Sequence, residues 1–127
     1  MARMGKFQIV LVTCGSMAEA RKIAKTVVEK RLAACVNILG GTVESVYQWK
    51  GKVEKAKERL LLIKTSPKLV EKLDQEVLRL HSYETPEFLA IPIAGGSEKY
   101  LAWLKNNLSQ TELRGRLSAG ARLPLSD

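Results

Sequence analysis

Leu60-Leu61-Leu62-Ile63 and Phe7-Gln8-Ile9-Val10-Leu11-Val12 are the two stretches on which the fold turns. Successive residues of an extended strand point to opposite faces, so each run sends aliphatic side chains both ways. Such strands need cover on two sides. Helices within the chain can supply one layer, but about five Val, Leu or Ile side chains left bare on the other face would forgo roughly 1.5–3 kcal/mol apiece. That sum rivals the whole stability of a small domain. One sheet face is therefore expected to meet another protein surface, most simply a second copy of the chain.

The elements follow outward from these strands. Ser16-Met17-Ala18-Glu19 reads as a capping box in which the Ser hydroxyl accepts from the Glu19 amide and the carboxylate reaches back. The helix it opens carries Ala20, Ile23, Ala24, Val27 and Val28 at helical spacing and stops near Arg31. Leu32 to Ile38 reads as a strand, bent at Gly40-Gly41 and resumed from Thr42 to Trp49. Lys50-Gly51 signals a tight turn into a strand running to Thr65, so the two make a long hairpin. Ser66-Pro67 is expected to cap the next helix, with Leu69, Leu73, Val77 and Leu80 on one face. A short strand from Phe88 to Ile93, a break at Gly95-Gly96 and a Ser97-capped helix bearing Tyr100, Leu101, Trp103, Leu104 and Leu108 complete the pattern. The order is that of an α+β, ferredoxin-like βαββαβ sandwich with an additional C-terminal helix. Its usual strand order places the first and third strands at the centre, and both helices on one face. Residues 1–108 form the expected domain and 109–127 a tail.

Composition narrows the function classes. A chain of 127 residues, 46% hydrophobic and 27% charged, suits one globular domain. The net charge of +8 is spread over every element with Glu interleaved, which describes a solvated surface and not a nucleic-acid stripe. No apolar run approaches a membrane span, and Met1 to Lys6 leads straight into a strand pattern, so a soluble, cytoplasmic protein is expected. Cys14 and Cys35 sit in strand-like segments and are expected to be reduced. No phosphate loop, dinucleotide fingerprint or Ser-His-Asp set can be assembled, and no enzymatic activity is expected.

The chemistry-bearing residues gather near one end of the expected sheet. His81, the sole histidine, lies beside Tyr83, Glu84 and Glu87, and imidazole with a carboxylate or thiolate suits Cu(II) or Zn(II). The exits of the first strand and second helix share an end of the sheet, so Cys14, His81 and Glu84 are the candidate metal set, set against a structural role in which His81 hydrogen-bonds the turn or a neighbouring subunit. Both thiols are expected to be mostly buried and slow to react, with Cys14, close to a helix start, the better thiol candidate and ahead of Cys35, which reads as a small buried hydrophobe. The first loop lacks the Cys-x-x-Cys of metal-chaperone domains. Tyr47, Trp49 and Tyr83 are expected to anchor the hairpin against a neighbouring subunit.

Five linked segments, Ala33–Ile38, Tyr47–Lys52, Leu61–Thr65, His81–Glu87 and Tyr100–Leu104, resemble the CutA divalent-cation tolerance family in order and spacing over about residues 7–108. The resemblance implies a ferredoxin-like subunit in a tight homotrimer, similar in architecture to PII-like signalling proteins, and a link to copper and other divalent cations. Tyr47, Trp49, Lys64, Tyr83 and Glu87 are then expected at the inter-subunit cleft. No cofactor is expected to be required, with copper or another divalent cation as the expected ligand. The alternative is a PII-like sensor or scaffold accepting a small ligand or partner protein between subunits.

Overall fold

The computed structural model describes residues 6–110, so the expected tail lies almost wholly outside the described residues. The elements are β1 (Gln8–Cys14), α1 (Met17–Glu29), β2 (Cys35–Ile38), β3 (Val43–Trp49), β4 (Lys52–Thr65), α2 (Val70–Leu80), β5 (Phe88–Pro92) and α3 (Glu98–Asn106). All strand pairings are antiparallel, in the order β2-β4-β1-β5, and β3 pairs with the distal half of β4. The expected central pair, β1 and β4, is thus observed.

Register assigns the faces. Val10 lies opposite Ile63 and Val12 opposite Leu61, and all four are fully buried with Ala20, Ile23 and Val27 of α1 and Leu73 and Val77 of α2. The alternate set places Leu11 between Leu62 and Leu89, and Ile9 between Lys64 and Ile91. None of Ile9, Leu11, Leu62, Leu89 and Ile91 joins or packs against the core cluster, and Leu89 and Ile91 are 54% and 45% exposed. This is the apolar face left open by the described residues.

Local chemistry fixes the turns. Ser16 and Ser97 cap α1 and α3, each hydroxyl accepting a backbone amide at 3.1 Å, from Glu19 and Tyr100. Lys50 and Gly51 both have positive φ (52° and 81°), as a two-residue hairpin turn that matches strand twist requires. Past α1, Arg31 takes φ 60°; its amide bonds the Val28 carbonyl and that of Leu32 bonds Val27, a Schellman ending without the usual glycine. The Arg31 guanidinium then donates to the Asn106 carbonyl at 2.9 Å, holding the end of α3 against the end of α1.

Two expectations are corrected. Ser66 is extended but its hydroxyl caps nothing; Pro67–Leu69 form a 3₁₀ turn, and α2 begins only at Val70. The second strand begins at Cys35, with Leu32, Ala33 and Ala34 buried in the connection before it.

Candidate functional site

At the Cys14 end of the sheet, the His81–Glu87 turn meets the root of the hairpin. Thr13, Ser45, Val46, Tyr47, Trp49, Glu58, Tyr83, Glu84, Thr85 and Glu87 enclose a groove of about 530 Å³. The hairpin register explains the wall: Val43 faces Glu58, and Ser45, Tyr47 and Trp49 project on that same side by alternation. Glu58 is only 7% exposed. Its carboxylate accepts from the Ser45 hydroxyl at 2.7 Å and the Tyr83 hydroxyl at 2.8 Å. Loss of solvent, then the hydrogen bond to Glu58, push the Tyr83 phenol up to about 12. Gly15 lies beside this pair, where a Cβ would stand 3.4 Å from the Tyr83 hydroxyl, at van der Waals contact.

His81 holds the turn from below. Its Nε2 lies 2.8 Å from the Thr13 carbonyl, and the Tyr83 amide donates to Nδ1 at 3.1 Å. A carbonyl accepts and an amide donates, so this pair of contacts defines the neutral Nε2–H tautomer with both nitrogens engaged. A Glu19 carboxylate oxygen stands 3.4 Å from Nδ1. Instead of closing the capping box, that carboxylate accepts from the Ser82 amide at 2.7 Å and the Ser82 hydroxyl at 3.1 Å. The reach-back half of the box is therefore a long-range tie that pins the turn to α1.

The expected metal set is not drawn together. Cys14 is fully buried, its Sγ lies 3.6 Å from the Ser16 carbonyl, and burial raises the thiol above its ordinary value. His81 is buried with its nitrogens engaged, and Glu84 lies on the exposed groove wall. Among the described residues, no group of three or more His, Cys, Asp or Glu side chains is placed to hold a metal ion. The expected burial of Cys35 is corrected as well. Cys35 is the half-buried one, on the open face, with the Lys64 ammonium 3.8 Å from its sulfur and also bonded to Asn37. Burial, then the neighbouring Cys35, push up the Tyr100 phenol.

Of the expected cleft residues, Tyr47, Trp49, Tyr83 and Glu87 line the groove, whereas Lys64 lies on the open sheet face at the other end of β1, level with Ile9. Sequence reasoning missed Glu58 and Ser45. The signal was available: counting the hairpin register back from Lys50-Gly51 puts both on the side of Tyr47 and Trp49.

An antiparallel sheet backed by helices on one face, bare on the other and extended by a hairpin arm defines an α+β protein whose architecture recurs among solved structures. CutA1 from Oryza sativa superposes with a TM-score of 0.81 at 40% identity, covering 87% of this chain and all (100%) of that one. The solved divalent cation tolerance protein from Thermus thermophilus gives 0.78 at 47% identity, covering 80% and 98%. The sequence model described as CutA1 divalent ion tolerance protein matches residues 8–107, and the chain belongs to this family. It is 49% identical over 100 residues to the divalent-cation tolerance protein CutA of T. thermophilus, covering 79% of this chain and 96% of that protein. It is 50% identical over 99 residues to the chloroplastic protein CutA of Arabidopsis thaliana, covering 78% of this chain but only 54% of that longer protein.

Proposed function

We propose that the chain serves divalent-cation tolerance as a non-enzymatic ferredoxin-like homotrimer, joined through the open sheet face and the projecting hairpin, and that it takes divalent copper only weakly or conditionally. The observation that carries the conditional part is the state of His81. Both ring nitrogens already have partners, so a metal ion reaching either one must displace the Tyr83 amide or the Thr13 carbonyl. The trimer is supported by the apolar set of the open face, half-buried Leu11 and Leu62 with exposed Leu89 and Ile91, whose full burial needs a partner surface. Cytoplasmic residence belongs to the same proposal, supported by two unpaired cysteines; among the described residues no helix is long and apolar enough to cross a membrane.

A second reading, a PII-like sensor or scaffold taking a small ligand or partner at the subunit clefts, is favoured by the groove of about 530 Å³ beside the hairpin. Calorimetric titration of CuCl2 into wild type and His81→Ala tests the first. Weak binding that changes on removing the imidazole is expected; tight binding unaffected by the substitution would overturn the role given to His81.

A further inference from the structure

The groove has a one-sided chemistry. Glu58, Glu84 and Glu87 contribute carboxylates to its lining, Tyr47, Trp49 and Tyr83 contribute aromatic rings, and no lysine, arginine or histidine is among the described lining residues. This is unexpected in a chain of net charge +8. Glu58 makes the point most strongly: only 7% of it is exposed, yet the Ser45 and Tyr83 hydroxyls that bond its carboxylate are neutral donors. Two hydroxyl donors stabilise a carboxylate and leave its charge uncompensated, and buried charges are ordinarily paired.

We infer that the groove is a binding site for a small organic cation, an alkylammonium group whose charge meets Glu58, Glu84 and Glu87 and whose carbon chain lies against Tyr47, Trp49 and Tyr83. The inference rests on the reading of this groove as a ligand cleft and names the class of ligand. A bare metal ion is the poorer fit, because among the described residues no cluster of three or more ligating side chains forms and the cavity far exceeds one ion. Nucleotides and dicarboxylates fit worse, since the charged groups that the described residues of the subunit place on the wall, Glu58, Glu84 and Glu87, repel them. Aromatic faces attract ammonium groups, and the chain supplies an instance in Lys50 Nζ, 6.0 Å from the centre of the Trp49 ring.

The test is calorimetry on the assembled full chain with 1,4-diaminobutane as probe, and with succinate, ATP and CuCl2 as comparators, each followed by tryptophan emission. Saturable diamine binding that weakens with salt is expected, falling about tenfold or more in Glu58→Gln. Glu84→Gln/Glu87→Gln, altered only at exposed positions, should weaken it as well and keeps the test valid should the Glu58 variant fold poorly. An unchanged or raised Tm in Glu58→Gln together with lost binding supports a ligand role over a structural one. Succinate, ATP or copper binding at the groove without diamine binding overturns the organic-cation assignment and leaves the ligand cleft standing. Silence from every probe overturns both.

Discussion

The two faces of the sheet are built from one population of side chains and differ in what lies over them. Val10, Val12, Leu61 and Ile63 are sealed under α1 and α2, whereas Leu89 and Ile91, on the same sheet with the opposite orientation, are about half exposed. Composition alone does not bury a residue; a second layer does. A strand that is aliphatic on both sides therefore carries information about a layer that the described residues do not supply.

The covered face is the more costly one to disturb. Ile63→Ala should lose about 2–5 kcal/mol in urea unfolding, because it removes buried carbon from a fully covered site and leaves a cavity. A value below about 1 kcal/mol would mean that the helical layer is looser than described. Leu89→Glu tests the other face: it should leave the subunit folded and cost the assembly roughly 1.5–3 kcal/mol per copy, seen in sedimentation as a shift towards monomer. If the state of association does not change, the open face is not where copies meet.

Thiol labelling refines the same contrast, since Cys14 belongs to the sealed side and Cys35 to the open one. Cys35 should react first, and in the Leu89→Glu protein its rate should rise about tenfold, equivalent to about 1.4 kcal/mol of lost protection. Earlier reaction of Cys14 would invert the assignment of faces.

The smallest effect is expected on the solvent side of the helices, where Glu76 pairs with Lys30 of the α1–β2 connection and Arg79 of α2. Hydrogen bonds from Arg79 and then Lys30 bring its carboxyl from 4.5 down to about 2. A folded-state value below the unfolded one adds stability that is complete above about pH 5 and lost as pH falls from there towards 2. Glu76→Gln should therefore cost about 1 kcal/mol or less at neutral pH and nothing near pH 2, checked by thermal unfolding across that range.

Much of this was legible in the sequence because it depends on local rules. Aliphatic runs marked the central strands and helical spacing the helix faces, Lys50-Gly51 marked the hairpin, and Ser16 and Ser97 marked two caps. What failed depends on distant partners. Glu19 has the spacing of a reciprocal cap, but Ser82, far along the chain, offers its carboxylate two donors. His81 carries the composition of a ligand, and its contacts with the Thr13 carbonyl and the Tyr83 amide match the other reading open to it, a residue that hydrogen-bonds the turn. Glu58, within Val53-Glu54-Lys55-Ala56-Lys57-Glu58-Arg59, reads as one more solvated charge until the register places it against Tyr83.

β4 runs unbroken for 14 residues, on the order of 46 Å at roughly 3.3 Å per residue. Its second half is clamped between β1 and β2, while its first half leaves the sheet with β3 as its partner. On the other side of the hairpin the chain is interrupted between Ile38 and Val43, so only one rail of the arm is continuous with the base. Mechanically this is a cantilever whose root lies at Glu58 and Arg59. A load applied at Lys50-Gly51 produces its largest bending moment there, beside the carboxylate that holds the Ser45 and Tyr83 hydroxyls.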